Sequence, residues 1–312
     1  VSTLGEPPSH PVPSTQAREL VRGGVDPHVH VAPDFARRRI TDLELADRCR
    51  EVGLAGFVLK SHYTATAERA AVVSAARPGI HARGAIVLNH AVGGLNATAV
   101  EVAAREGARI VWLPTVSAPG EFAEVQRFDP SGNVPVWVRF ELELRAAGAA
   151  PRPVPVLGED GRPLPALQEV LEVVAHHDLV LATGHLAAHE IAVVVDAAVA
   201  ARVATIVVTH PEFPSQSIAP DVQCELADRG ALMERAFTTP YTGKCTWEQV
   251  FAATRAVGAE RTVWGSDLGQ VFNPPVEDGL AIMADQFLAA GFSEREVRRM
   301  AVDNTRRLVG ES

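Results

Sequence analysis

Leu20–His30, LVRGGVDPHVH, carries a short apolar run into two histidines separated by one residue. In an extended chain, residues i and i+2 point to one face. His28 and His30 therefore leave the strand end together and can grip one cation. An isolated pair of this kind arises often by chance. Its weight comes from the recurrence of the pattern: apolar runs that end in a ligand-bearing side chain return along the whole chain.

The further runs are GFVLKSH (56–62), HARGAIVLNH (81–90), RIVWLPT (109–115), DLVLATGH (178–185), ATIVVTHP (204–211), ALMERAF (231–237) and RTVWGSD (261–267). Between them lie stretches with helical spacing: Thr41–Val52, Thr66–Ala76, Asn96–Glu106, Leu167–His176, Ala187–Val199, Ala219–Arg229 and Thr246–Val257. Parallel strands buried on both faces read as continuous apolar runs, and their crossover helices show one apolar face. Eight such units predict an α/β protein built as a (β/α)8 TIM barrel. A doubly wound open sheet fits the alternation equally well but places its ligand at one strand-order switch. Polar residues at the ends of many strands favour the barrel, whose strand ends converge on one mouth.

Local signals set the boundaries. Thr41 with Glu44 has the form of a capping box. Asn96 and Thr246 suit N-caps, and Gly107 and Gly258 suit helix stops. Residues 1–20, rich in proline and serine at the start, read as a flexible arm, and 21–312 as a single barrel domain. The stretch 117–165 breaks the rhythm with eight prolines. It is expected as an insertion after strand four, a lid or hairpin region. VPVLGEDGRPLP reads as a hairpin around Asp-Gly, and VPVWVRFELEL as a strand or part of a lid. The segment from Pro275 on reads as the last barrel helix with extra C-terminal helices.

Bulk composition narrows the function classes. Hydrophobic residues make up 47%, charged residues 21%, and the formal net charge is -9. No basic run offers the concentrated positive footprint that phosphate backbones need, so nucleic acid is not the expected partner. No apolar stretch reaches spanning length, so no membrane is expected either. Cys49, Cys224 and Cys245 fit neither a disulfide framework nor a CxxC module, which points to a reducing, cytoplasmic setting. A small-molecule substrate and a homo-oligomer, a homodimer as the common case, complete the expectation.

Taken together, VDPHVH, ATGH, VTHP and GSD resemble the amidohydrolase superfamily of metal-dependent TIM-barrel hydrolases. That resemblance assigns His28 and His30 to the strand-one pair, His185 and His210 to strands five and six, and Asp267 to strand eight. It implies one or two divalent ions, zinc first, with manganese, iron, cobalt or nickel as other candidates. It also implies a metal-activated hydroxide that cleaves an amide, lactam, ester or lactone, with Asp267 as proton shuttle and His185 assisting. A non-oxidative decarboxylase, a phosphotriesterase-like hydrolase and a non-catalytic metal-binding or ligand-sensing barrel are the alternatives. One departure stands out. Many relatives carry a carboxylated lysine at strand four, where this chain has RIVWLPT, while Lys60 ends strand two. A carboxylated Lys60 would bridge two metals; a free ammonium ligates none. His62, Asn89, His90, Glu234, Tyr63 and Tyr241 are further candidates for substrate contact or for support of the ligands.

Overall fold

A computed structural model describes residues 10–125, 136–149 and 151–310. Helix α1 (Thr15–Val21) leads into β1 (Val25–Val29), α2 (Asp42–Val52), β2 (Gly56–Leu59), α3 (Ala67–Ala76), β3 (His81–Val87), α4 (Ala97–Arg105) and β4 (Ala108–Trp112). The insertion contributes α5 (Pro119–Val125) and α6 (Val136–Ala146). The alternation resumes with α7 (Pro165–His176), β5 (Val180–Ala182), α8 (Ala188–Ala200), β6 (Thr205–Val208), α9 (Pro220–Asp228) and β7 (Leu232–Ala236). It ends with α10 (Thr238–Tyr241), α11 (Trp247–Val257), β8 (Thr262–Gly265), α12 (Gly279–Ala289), α13 (Glu294–Arg298) and α14 (Asn304–Leu308).

The strands form one parallel sheet in the order β1 to β8. The ring closes just beyond β8, where Val29 bridges Leu268 and the amides of Asp267 and His30 donate to His28 O and Leu268 O. This is the expected (β/α)8 barrel, with helices added at its C-terminal end. Val25, Val58, Ala85, Ile110, Val180, Val207 and Val263 fill its interior. Phe57, Leu59 and Val29 face outward onto the helices, beside Leu45 and Cys49 of α2. Full burial of each such side chain contributes about 1.5–3 kcal/mol.

Strand β1 departs from simple alternation. Between Asp26 and Val29 it carries one residue more than β2 does between Phe57 and Leu59. The bulge lets Pro27 and His28 both lie on the interior side, and it sits at the strand end that carries the histidines. Asp26 anchors the irregular segment, its Oδ1 accepting from the amides of His28 and Ser266.

The predicted helix boundaries hold within a residue or two. Thr41 and Glu44 form the reciprocal capping box, and Asn96 and Thr246 cap through their side chains. Two expectations need correction. The arm does not reach residue 20: Thr15–Val21 is a helix, capped by Ser14, with Ala17, Leu20 and Val21 buried; residues 1–9 lie outside the described residues. VPVWVRFELEL is no strand, because Val136–Ala146 is helical. Val138, Glu141 and Leu144 recur on one face of it, and a buried carboxylate in that stripe hid the helical period. The Asp-Gly hairpin is present as a bridge between Leu157 and Pro163, with Gly158 N donating to Arg162 O. Among the described residues no helix is long and apolar enough to cross a membrane, and all three cysteines are free.

Candidate metal centre

The ends of β1 and β8 build the densest part of the site. His28 and His30 are buried, and Asp267 places Oδ1 3.3 Å from His28 Nε2 and 3.2 Å from His30 Nε2. One donor atom from each residue lies within 4.8 Å of the others, as metal ligation requires. Thr238 Oγ1 donates to Asp267 Oδ2 at 2.6 Å and so holds the other oxygen toward the imidazoles. The backbone at Asp267 and at His210 is left-handed, with φ of 54° and 27°. Non-glycine residues adopt that conformation at an energetic cost, which concentrates at functional positions.

Strand β7 orients the pair. Glu234 and Arg235 point to opposite sides of the strand. Glu234 Oε1 lies 2.7 Å from His28 Nδ1, and its Oε2 accepts from the amide of His210. Arg235 turns outward, buried against Glu212, Gln223 and Thr254. Gly265 on β8 makes room for this contact, since a Cβ there would stand 2.7 Å from Glu234 Oε1.

Lys60, at the end of β2, is fully buried with Nζ 2.9 Å from His28 Nε2 and 5.0 Å from the centre of the Trp112 ring. Burial lowers its ammonium to about 8, although Asp267 and Glu234 pull the other way. The lysine predicted from strand two thus reaches the cluster. As an ammonium it occupies the nitrogen that a cation would use.

His185 and His210 form a second group, rings 4.9 Å apart, with His210 6.2 Å from His28. His210 Nδ1 meets Gln216 Oε1 at 3.0 Å, and His185 Nδ1 lies 3.6 Å from Glu121 Oε1. His28, His62 and His210 thus direct Nδ1 at a side-chain oxygen within hydrogen-bond reach, whereas His185 Nδ1 has no hydrogen-bond partner among the described residues. A Nδ1–H donor of this kind leaves Nε2 unprotonated, as a metal ligand must be. Burial pushes His30 down to about 3 and holds His62, His185 and His210 below the ordinary range. Burial alone would raise the Asp267 carboxyl; His28, His30 and Lys60 overrule it and hold it well below its usual range. Neutral imidazoles around an ionised carboxylate suit a divalent cation, so the residues fit the implied metal.

The other candidates divide. His62 stacks on His30 at 4.8 Å and bonds Thr115 Oγ1 through Nδ1. Asn89 is saturated: Nδ2 donates to His62 O and Thr115 Oγ1, while Oδ1 accepts from the amides of Thr115 and Ser117. It shapes the loops. Tyr63 and the exposed His90 line a neighbouring cavity. Tyr241 stacks on Phe237 and its hydroxyl meets His10 Nδ1 at 3.2 Å, so it is not brought to the histidines. Sequence reasoning missed Glu121, Thr238 and Gln216, polar residues of loops and short helices that carry no periodic signal. The buried Trp112 ring packs 5.5 Å from His28 and lies 5.0 Å from Lys60 Nζ.

Solved structures share this architecture. An amidohydrolase from Pseudomonas aeruginosa is 14% identical, with a TM-score of 0.60 over 94% of this chain and 98% of that one. The probable dipeptidase PvdM from the same organism is 10% identical, with a TM-score of 0.60 over 95% and 97%. An organophosphorus hydrolase from Deinococcus radiodurans is 16% identical, with a TM-score of 0.55 over 99% and 100%. At these identities the likeness extends to the fold. No curated protein matches the chain. A family described as "Family of unknown function (DUF6282)" matches residues 23–234, more than half of the sequence. With β1 to β6, His28 and His30 inside that match, the chain belongs to DUF6282.

Proposed function

We propose that this protein is a divergent amidohydrolase-like enzyme, a metal-dependent hydrolase of small-molecule amides, lactams, esters or lactones. One observation carries the reading: a carboxylate oxygen of Asp267 sits between two buried imidazole Nε2 atoms at 3.2 and 3.3 Å. A divalent ion would be held by His28, His30 and Asp267, where it would supply Lewis acidity and lower the pKa of a water from about 15.7 to about 7. Zinc is the first choice for such donors. His185, His210 and a carboxylated Lys60 would complete a second position. Carboxylation converts Lys60 from a donor competing for His28 into an anionic ligand, and its burial against His28 supports that role.

The chain's own residues handle the protons. Asp267 accepts the proton of the attacking water and returns it to the leaving amine or alkoxide. Thr238 keeps that carboxylate oriented throughout. Glu234 fixes His28 and, through the His210 amide, ties the ends of β1, β6 and β7 together. The apolar interior below Trp112 excludes water from the underside of the site.

The test is elemental analysis of the purified protein together with a panel of amides, lactams, esters and lactones. The expected result is one or two transition-metal ions per chain and turnover that Asp267→Asn cuts by about 10²–10⁴-fold. Full turnover in Asp267→Asn, or a wild type without metal affinity, would end the reading.

A further inference from the structure

Beside the histidines the insertion covers a cavity of about 630 Å³. Tyr63 and Asn89 line it from the barrel, Glu141 and Leu144 from α6, and Pro151 and Arg152 from the segment that follows. It adjoins the metal centre directly: the rings of Tyr63 and His62 lie 6.3 Å apart, and His62 stacks on His30.

Two buried oxygens in this wall have no hydrogen-bond partner among the described residues, Glu141 Oε2 and the Tyr63 hydroxyl. Glu141 is only 1% exposed. A buried polar group without a partner costs about 1–3 kcal/mol, and more when it is charged. The neighbours relieve it only in part: burial raises the Glu141 carboxyl to about 7, and Arg145 opposes that shift without overcoming it. Asn89 spends its whole amide on Thr115, Ser117 and the backbone of His62. Arg145, one turn along α6, lies over the Phe122 ring at 4.7 Å and forms no ion pair with Glu141 among the described residues. Arg152 is exposed, so solvent weakens its field. The lining mixes apolar Ala91, Leu144 and Pro151 with polar His90 and Ser117, and the Tyr63 ring is held edge-on to Phe140 at 5.0 Å and to Phe35 at 4.4 Å.

We propose that this cavity receives a protonated alkylamine group of the substrate, its N–H donors bonding Glu141 Oε2 and the Tyr63 hydroxyl while its alkyl chain packs on Leu144 and Pro151. An ammonium is all donor, and ionised Glu141 is all acceptor. An alcohol would satisfy the geometry without the charge, and a carboxylate would meet Glu141 as a like charge. Glu141 and Tyr63 are thus specificity residues for the proposed hydrolase, and the proposal rests on that reading only for the bond that is cut.

Binding alone reads out the cavity. Calorimetric titration of the full chain with hexylamine, 1-hexanol and hexanoate at about pH 8, where the amine is protonated, gives three affinities. Hexylamine should bind roughly tenfold tighter than hexanol, with hexanoate weakest. Glu141→Gln should erase that preference, and Tyr63→Phe should reduce it about threefold. Equal binding of hexanol or hexanoate, no binding of the amine, or a preference that survives Glu141→Gln would overturn the proposal. If Glu141→Gln fails to fold by near-UV circular dichroism, Tyr63→Phe decides. Amine binding without hydrolysis of any panel member would sink the hydrolase reading and leave the cavity assignment standing.

Discussion

The two sides of the barrel mouth are wired differently. On the β1, β7 and β8 side the groups come from strands or from the residues just beyond them: His28 and His30 from β1, Glu234 from β7, Asp267 after β8. Their contacts are short, 2.7 Å for His28 to Glu234 and 3.2–3.3 Å for the imidazoles to Asp267. On the β5 and β6 side the imidazoles also follow strands, but their partners do not. Glu121 comes from the insertion and Gln216 from the loop after β6, and Glu121 stands 3.6 Å from His185. That is beyond hydrogen-bond length. A ligand set held by strands is positioned by the sheet, whereas one held by loops is positioned only as well as the loops pack.

The largest effect should therefore come from the strand-built side. Glu234→Gln keeps the shape and removes the charge behind His28, and should weaken zinc binding about 10–100-fold, read by competition with a chromophoric chelator. Gly265→Ala, whose Cβ would meet Glu234 Oε1 at 2.7 Å, should act in the same direction. Wild-type zinc affinity in both variants would dissolve the distinction.

Acid should come next, acting on both sides at once in metal-free protein. His30 titrates near 3 when folded, against an ordinary 6.5, and His185 and His210 are also lowered. As pH falls below about 6.5, the unfolded chain takes up protons that these buried rings refuse. Stability should then drop by about 1.4 kcal/mol per pH unit for each such histidine. Asp267, depressed in the fold, adds to the loss below about pH 4. Asp26, raised by burial to about 6, opposes it between about pH 4 and 6. Chemical denaturation across pH measures the slope, which His30→Asn and His210→Asn should each flatten. A pH-independent midpoint would mean that the rings are not held neutral.

The smallest effect belongs to the loop-built side. Glu121→Gln should weaken zinc binding by about threefold, below the usual cost of losing a supporting carboxylate. The same chelator competition checks it. A loss larger than that of Glu234→Gln would reverse the comparison.

The same asymmetry governs what could be read from the chain. The alternation of apolar runs and helical stretches follows from burial of both faces of a parallel sheet, so the barrel was legible in the pattern. His28, His30, His185, His210, Lys60 and Asp267 were legible because each follows an apolar run where a polar side chain stands out. Glu234 was visible but ambiguous until β7 placed it and Arg235 on opposite sides. Glu121, Thr238 and Gln216 were invisible, since a polar residue in a short helix or a loop carries no periodic signal. Helix α6 was misread because Glu141 interrupts the apolar stripe.

What the chain determined by itself is the closed parallel sheet and the chemistry at its strand ends, because local periodicity and side-chain type suffice to specify both. Only the tertiary structure decided which acids stand behind which imidazoles, that β1 carries a bulge, and that Lys60 reaches His28. The reason is physical: those contacts join residues distant in sequence, 206 positions apart for His28 and Glu234. No local pattern encodes a distance that exists only once the ring has closed.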